Sequence, residues 1–270
     1  MSESRVRLVI IILVLTLLIW CICCELQRQQ GKVVLSAKKF YGHPATVLMA
    51  PFNRWCLTSS RHSTGNPFPD MLAHFPSHVV LKHQWWAIRE EALSLYKHSH
   101  IRDDKNVFFS RIGSKEWKRF HIKWYNEINS EAKQKCPFTS SLIHQLPEIQ
   151  SAMFSILGPG GIIPPHVGPF RGCVRYHLGL DCPEECGIEV DGNRYEWKDG
   201  QDVLFDDTFV HHVWNHSDRP RIILFCDVER LMNTHFASLV NRTICKIAGP
   251  LTTAANNIQE KVVSSGKQFS

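Results

Sequence analysis

The C-terminal half of this sequence is a succession of short segments rich in β-branched and aromatic residues. They lie at residues 152–157, 173–180, 187–190, 194–197, 203–205 and 221–228. Gly-Pro-Gly-Gly, Asp-Gly-Asn and Asp-Gly sequences separate several of them, and such sequences favour tight turns between strands. Short strands joined by turns are typical of an all-β sandwich or barrel. We therefore predict a jelly roll for this half.

Helices are expected only before this half. Apolar residues recur at a helical period over residues 83–98, and a second short helix is predicted over residues 140–145, ended by Pro147. Residues 107–112 and 117–125 are rich in aromatic side chains and are predicted to be strands. The predicted fold class is mostly β with flanking helices.

The composition is that of an ordinary globular protein, with 44% hydrophobic and 21% charged residues among 270. The net charge is +6, and no basic run is interleaved with aromatic residues, so we expect no nucleic-acid partner. The 10 cysteines follow no disulfide framework, and a chain of this length buries a sufficient core without them. Free thiols in a reducing compartment are expected.

Residues 8–24 form an apolar run that only Thr16 interrupts. As a helix this run would extend roughly 26 Å, close to the ~30 Å hydrocarbon core of a bilayer. A buried core helix is one alternative, but such a helix usually has a polar face. A cleaved signal peptide is another, but no Ala-x-Ala-like cleavage site follows Cys24. The favoured interpretation is an uncleaved, single-pass membrane anchor.

The basic residues around this run predict its orientation. Arg5 and Arg7 precede the run, and more basic residues follow it, namely Arg28, Lys32, Lys38 and Lys39. Because the more positive side faces the cytoplasm, the main domain is expected there. The predicted organisation is an anchor at residues 1–30, a membrane-proximal linker and helical region at 31–100, the β domain at 101–235 and a polar tail at 236–270. Residues 33–66 are predicted to be irregular.

Polar residues that suit catalysis cluster around the predicted strand at residues 173–180. Side chains alternate between the two faces of a strand, so Arg175 and His177 project to the same side. Taken alone, such a strand is usually just half-exposed to solvent, with no functional role for the pair. Upstream, His166 lies in the sequence Pro-Pro-His-Val-Gly, and downstream His211 and His212 follow another predicted strand.

Two histidines on separate strands, with a basic residue beyond the second, suit a non-haem Fe(II) site that uses 2-oxoglutarate and O₂. The usual third ligand is an Asp or Glu two residues after the first histidine, and that position is Gly168. From the residues alone, satisfied structural histidines therefore stay an alternative to metal binding.

Three blocks of sequence have an order and spacing that match a known enzyme family. They are Ser155-x10-His166-Val-Gly168-Pro-x5-Arg175-x-His177-Leu-Gly-Leu, Phe205-Asp206-Asp207-x-Phe209-x-His211-x-Val-Trp214 and Arg221-Ile-Ile-Leu-Phe-Cys-Asp227. Together they resemble the aspartyl/asparaginyl β-hydroxylase family. The resemblance implies a double-stranded β-helix that uses Fe(II) and 2-oxoglutarate. It also implies an iron site with two histidine ligands, in which glycine stands where the carboxylate would be.

The resemblance assigns roles to individual residues. His166 and His211 match the iron ligands, and His212, which would face the other side of a strand, is the alternative to His211. Arg221 and Ser155 match the groups that bind the distal carboxylate of 2-oxoglutarate.

The same resemblance places two further residues near the iron-bound end of the cosubstrate, namely Arg175 and His177. Trp214 is interpreted as a core residue, and Asp206 and Asp207 as turn and strand-end residues. These last three are left out of the predicted site.

The flanking sequence resembles the bacterial lipid A 2-hydroxylases within this family, over residues 49–53, 117–125 and 226–230. The implied function is hydroxylation of a C–H bond in an acyl chain of a lipid A-type membrane lipid, at the bacterial inner membrane. One alternative is a peptidyl aspartyl/asparaginyl β-hydroxylase, whose partner is an Asp- or Asn-containing peptide. Another is a non-catalytic, membrane-tethered jelly roll that only binds its partner.

Overall fold

The computed structural model describes residues 49–61, 65–98, 102–103, 117–125, 127–168 and 170–247, together with Leu15, Thr16 and Ile19. Apart from those last three positions, the predicted anchor lies outside the described residues, as does the predicted strand at 107–112. Among the described residues, no helix has both the length and the apolar character that a membrane crossing requires.

The strands are β1 (Arg102–Asp103), β2 (Trp117–Trp124), β3 (Glu127–Ile128), β4 (Ile149–Leu157), β5 (Ile162–His166), β6 (Cys173–Asp181), β7 (Cys186–Val190), β8 (Asn193–Glu196), β9 (Asp202–Phe205), β10 (His211–Asn215) and β11 (Arg221–Glu229). The helices are α1 (Ala50–Ser59), α2 (Met71–His74), α3 (His78–His83), α4 (Trp85–Lys97), α5 (Ser130–Lys135), α6 (Pro137–Gln145) and α7 (residues 235–247).

The strands form two antiparallel sheets. The larger sheet has the order β1-β2-β4-β11-β6-β9, with β3 paired to β2, and the smaller has the order β5-β10-β7-β8. From β4 to β11 the chain passes repeatedly from one sheet to the other, so neighbouring strands are distant in sequence. This crossing pattern defines a double-stranded β-helix, and it confirms the predicted mostly-β jelly roll.

The larger sheet separates two parts of the core. On the outer face of β6, Tyr176 and Leu178 pack in one apolar cluster with Ile88 and Leu95 of α4. On the inner side, between the sheets, residues such as Phe205 form a second cluster. The helices therefore cover one face of the larger sheet, and the smaller sheet covers the other.

On the outer face, a side chain of α4 forms hydrogen bonds with the first turn of α6. Pro137 lies in the first turn of α6, where its missing N–H costs nothing. Glu91 of α4 accepts hydrogen bonds from the backbone N–H groups of Phe138 and Thr139, at 2.9 and 2.8 Å. The carboxylate thus satisfies donors that a helix leaves unpaired at its start.

Most of the predicted elements are confirmed. The helix predicted over 83–98 is α4, the strand over 117–125 is β2, and the six C-terminal segments are all strands. The second predicted helix begins earlier than expected, at Pro137. The two histidines were expected on separate strands, and they lie on β5 and β10, whose bounds were not predicted.

The prediction of irregular structure over residues 33–66 is wrong for Ala50–Ser59, which forms α1. Cys56 of this helix packs against Ala237 of α7 and against Met232, which lies shortly before α7. Burial of these side chains stabilises α1. The segment predicted as a polar tail begins within α7, which is helical as far as the structure describes the chain.

Candidate active site

His166 and His211 lie side by side between the two sheets. His166 ends β5 and His211 begins β10, and the two residues are direct partners in the antiparallel register. Their ring centroids are 4.1 Å apart. In each ring Nδ1 contacts a backbone carbonyl oxygen two residues earlier, at 2.8 Å for Pro164 and 2.9 Å for Phe209. A carbonyl only accepts, so Nδ1 carries the proton and Nε2 keeps its lone pair.

Both histidines are held in the neutral form. The pKa of His166 is lowered to about 4, chiefly by burial and in smaller part by the charge of Arg175, against the opposing hydrogen bond to Pro164. Burial also holds the pKa of His211 well below its ordinary value, and His166 adds to this effect. At neutral pH both Nε2 atoms are therefore available as ligands.

His212 does not join this pair. It follows His211 on β10, so its side chain projects to the other face of the strand, where its ring lies 5.5 Å from that of Trp214. The structure therefore brings His211 to His166 and leaves the alternative, His212, outside.

Asp207 lies beside the glycine that stands where a third ligand is usual. The N–H of Gly168 donates to the backbone oxygen of Asp207 at 2.7 Å, and a Cβ atom at position 168 would overlap the Asp207 carboxylate. Burial raises the pKa of Asp207 to about 6, against the opposing charge of Arg175. Among the described residues, no group of three His, Cys, Asp or Glu side chains could hold a metal ion. The geometry thus offers two histidines as ligands.

Arg175 and His177 project to the same side of β6, as the alternation predicts, and this side faces the space between the sheets. The guanidinium of Arg175 is fixed by two carboxylates, with Nη2 2.9 Å from Asp207 and Nε 3.2 Å from Asp227. It also lies 4.5 Å from the ring centroid of Phe225. Arg175 is therefore a rigid cation behind the histidine pair.

His177 is a polar side chain buried among aromatic rings. Its surroundings are the rings of Phe205, Phe225 and Trp197, with centroids at 4.9, 5.0 and 5.7 Å. Neither ring nitrogen of His177 has a hydrogen-bond partner among the residues that the structure describes. Burial lowers the pKa of His177 well below its ordinary value. Because an unsatisfied buried imidazole is costly, this arrangement indicates a site for a polar ligand.

Arg221 and Ser155 meet deeper between the sheets. Nη2 of Arg221 donates to Ser155 Oγ at 3.4 Å, and the indole N–H of Trp117 donates to the same oxygen at 2.9 Å. The guanidinium of Arg221 lies 4.7 Å from the ring centroid of Trp197, and Nε of Arg221 donates to no described residue. Burial lowers the pKa of Arg221 to about 10, so the group is still charged at neutral pH.

Within the part of the chain that the structure describes, no carboxylate pairs with Arg221. A fully buried arginine without an anion is costly, since desolvation is not offset. The arrangement therefore suits a ligand carboxylate, which the planar guanidinium can bind through two hydrogen bonds.

Two residues near this site were missed or set aside in the sequence analysis. Trp197 is buried between His177 and Arg221, and its own N–H has no hydrogen-bond partner in the described part of the chain. No spacing in the sequence singles it out. Asp207 was interpreted as a strand-end residue, although its position directly before the second histidine motif was the available indication.

A comparison with protein families identifies the family of this chain. Residues 82–231 match the family described as "Aspartyl/Asparaginyl beta-hydroxylase". The chain belongs to the aspartyl/asparaginyl β-hydroxylase family. The resemblance inferred from the three sequence blocks is thereby confirmed, and the chain is placed among hydroxylases.

Relatives within this family differ in substrate. The chain is 32% identical over 195 residues to an ornithine lipid ester-linked acyl 2-hydroxylase of Rhizobium tropici, covering 68% of each protein. It is 31% identical over 157 residues to the human aspartyl/asparaginyl beta-hydroxylase, covering 55% of this chain but 20% of that protein. Among solved structures, a Pseudomonas putida prolyl-4-hydroxylase matches with a TM-score of 0.36 and 16% identity, over 53% of this chain and 86% of that one.

Proposed function

We propose that this hydroxylase inserts one oxygen atom into a C–H bond in the acyl chain of a membrane lipid, with Fe(II) as cofactor and 2-oxoglutarate and O₂ as cosubstrates. The observation that carries the proposal is the similarity to an ornithine lipid acyl 2-hydroxylase, which extends over 68% of both chains. A lipid A-type lipid offers the same chemical group, an acyl chain in a membrane lipid, and belongs to the proposed substrate class.

The two histidines fit Fe(II). Neutral imidazole nitrogen is a suitable ligand for this ion, and both Nε2 atoms keep their lone pairs. When bound, the iron would supply the activation of O₂ for attack on a C–H bond. The chain itself holds His166 and His211 in the ligating tautomer through their Nδ1–H bonds to backbone oxygen.

Several buried polar atoms between the sheets have no hydrogen-bond partner among the described residues, and they fit 2-oxoglutarate, which has two carboxylates. Arg221 and Ser155 would bind the distal carboxylate, since this arginine has no anionic partner among the described residues. The ring of His177 lies 4.9 Å from that of Phe205, which lies 5.7 Å from that of His211, and His177 would donate to an oxygen of the cosubstrate. Arg175 is held by Asp207 and Asp227 and would act there as a fixed positive charge.

The apolar walls of the site protect a reactive centre from water. Phe205, Phe209, Val213 and Phe225 are all buried in the cluster between the sheets. Their surroundings lower the local dielectric constant and strengthen the charge interactions of Arg221.

A second candidate is peptidyl aspartyl/asparaginyl hydroxylation, favoured by the similarity to the human aspartyl/asparaginyl beta-hydroxylase. That similarity spans 20% of the human protein, and the lipid-acting relative is covered more fully. The lipid reaction also accords with the apolar run at residues 8–24, which we propose to be a single-pass anchor with the catalytic domain in the cytoplasm.

The test uses the full chain in lipid nanodiscs, supplied with Fe(II), ascorbate and 2-oxoglutarate in air. Ornithine lipid, lipid A and an Asp-containing peptide are offered separately, and mass spectrometry records the gain of one oxygen atom. Hydroxylation of a lipid acyl chain, lost in His211→Ala and kept in His212→Ala, supports the proposal. Hydroxylation of the peptide alone would favour the second candidate, and no 2-oxoglutarate consumption with any of them would favour a non-catalytic binding module.

A further inference from the structure

The helix α7 has an apolar side that no other described element covers. Its inner side packs on the domain through Ala237, Asn241 and Cys245, which are spaced four residues apart and are buried. Its outer side carries large apolar side chains at 236, 239 and 247, and these are 74%, 63% and 55% exposed. The same outer side includes residues 240 and 243, because positions three, four, seven and eleven apart lie together on a helix.

Basic residues lie along the edge of the apolar stripe on the outer side of α7. Arg242 and Lys246 are exposed beside the apolar stripe, and Arg242 is paired with Glu229 of β11 at 2.8 Å. Residues 231–247 themselves contain no Asp or Glu. The neighbouring segment, residues 49–61, also contains no acidic residue and exposes Arg54 and Arg61. A helix with an apolar stripe and Lys or Arg along its edge is typical of helices that lie in the headgroup region of a membrane.

This surface adjoins the candidate active site through α1. Met232 and Ala237 pack with Cys56 of α1, and the ring of Phe52 stacks on Phe170 with centroids 5.4 Å apart. Phe170 follows His166 by four residues in the chain. A surface that rests on lipid at α7 and α1 would therefore hold the histidine pair close to the bilayer.

We propose that the outer face of α7, together with α1, lies against the surface of a membrane that contains anionic lipid. The apolar stripe would enter the acyl boundary, while the basic border would contact lipid phosphate or carboxylate groups. Membrane contact at this face would bring an acyl chain to the site, and in that respect the inference rests on the proposed function. Its test records contact with lipid and not hydroxylation, so the two can fail separately.

The experiment places a photo-reactive benzoylphenylalanine at residue 236, in the full chain reconstituted into vesicles of phosphatidylglycerol and phosphatidylcholine. The matched control places it at Trp86, which is 60% exposed. Trp86 belongs to α4, whose Arg89 lies 3.7 Å from Asp181 at the end of β6, whereas Asn241 of α7 donates to Gly172 just before the start of β6. The two positions are thus separated along β6 by roughly 27 Å.

After illumination, mass spectrometry identifies what each position has captured. We expect phospholipid adducts at 236 in several-fold excess over 86, and fewer adducts at 236 in Lys246→Gln or in vesicles of phosphatidylcholine alone. Equal labelling at both positions would overturn the proposal, because an anchored chain would then meet lipid on any surface. Capture of a second copy of the chain, or of another part of the same chain, would overturn it as well.

Discussion

The carboxylate of Asp207 fills the space into which a side chain at Gly168 would project. Packing therefore requires glycine at position 168, which is also the position where a third, carboxylate ligand is usual. The position of Asp207 is fixed by Arg175, 2.9 Å away, so the glycine, the aspartate and the arginine form one arrangement behind the histidine pair.

Substitution of the glycine should destabilise the fold. In Gly168→Ala the added Cβ overlaps Asp207, and overpacking of this kind costs about 1–3 kcal/mol of unfolding free energy. Urea denaturation would measure the loss. The double variant Gly168→Ala with Asp207→Ala should lose less unfolding free energy than the sum of the losses in the two single variants, because the clash between the two side chains is gone. Simple additivity would contradict the packing found here.

Restoring a carboxylate at the usual ligand position should not help catalysis. Gly168→Asp places a second carboxylate against Asp207, so we expect like-charge repulsion and no increase in 2-oxoglutarate turnover. Turnover is measured as succinate formed at saturating Fe(II). A clear increase would show that the two-histidine interpretation of the metal site is mistaken.

The histidine pair should account for metal binding. His166→Ala and His211→Ala should each abolish Fe(II) binding in anaerobic calorimetry while the circular dichroism of the fold persists, because a site with two protein ligands has no spare one. The control is His212→Ala, whose ring packs near Trp214 on the other face of β10 and should leave Fe(II) affinity unchanged. Loss in His212→Ala with retention in His211→Ala would reverse the assignment.

Arg221 should govern the affinity for 2-oxoglutarate. Loss of a buried charge partner typically costs about 2–5 kcal/mol, so Arg221→Ala should weaken 2-oxoglutarate binding by roughly 30-fold or more. Arg221→Lys keeps the charge without the planar guanidinium, so its affinity for 2-oxoglutarate should lie between those of the wild type and Arg221→Ala. Titration calorimetry with 2-oxoglutarate measures the effect, and Arg194→Ala, at an exposed ion pair with Glu189, serves as the control. Equal 2-oxoglutarate affinity in Arg221→Ala and the wild type would remove the assignment.

The metal-free protein should lose stability in mild acid. The pKa of His166 is lowered from 6.5 to about 4, so its contribution is complete above pH 6.5 and is lost as the pH falls through that range toward 4. Burial of the neutral ring is the cause, and the difference corresponds to a free energy on the order of 3 kcal/mol. The unfolding temperature, measured from pH 7 to pH 4, should fall less steeply in His166→Gln than in the wild type. In the control His144→Gln, at an exposed position, it should fall as in the wild type. An identical decline in His166→Gln and the wild type would contradict the buried, neutral assignment.

The bounds of the strands that carry the proposed metal ligands were not predicted, and the composition of β5 shows why. β5 contains Pro164 and Pro165, which lack the N–H group of a regular ladder, so its local preference argues against a strand. β5 is an edge strand of the smaller sheet, where proline is tolerated. Its conformation is set by pairing with β10, a contact that no local pattern reveals. In the same way, Pro51 and Asn53 made residues 50–59 resemble a loop, although burial against α7 makes them a helix.

The sequence by itself determined the strand pattern, the jelly roll, the shared face of Arg175 and His177, and the family. These features depend on the two-residue period of a strand, on turn residues and on spacing along the chain, and all of them can be counted in the sequence. Only the tertiary structure decided that His211 and not His212 meets His166, that Asp207 fills the space beside Gly168, and that Trp197 lies against Arg221. Those contacts join residues that are distant in sequence. Their geometry depends on the register of the two sheets and on which side chains are buried between them, and these are set by the packing of the whole domain.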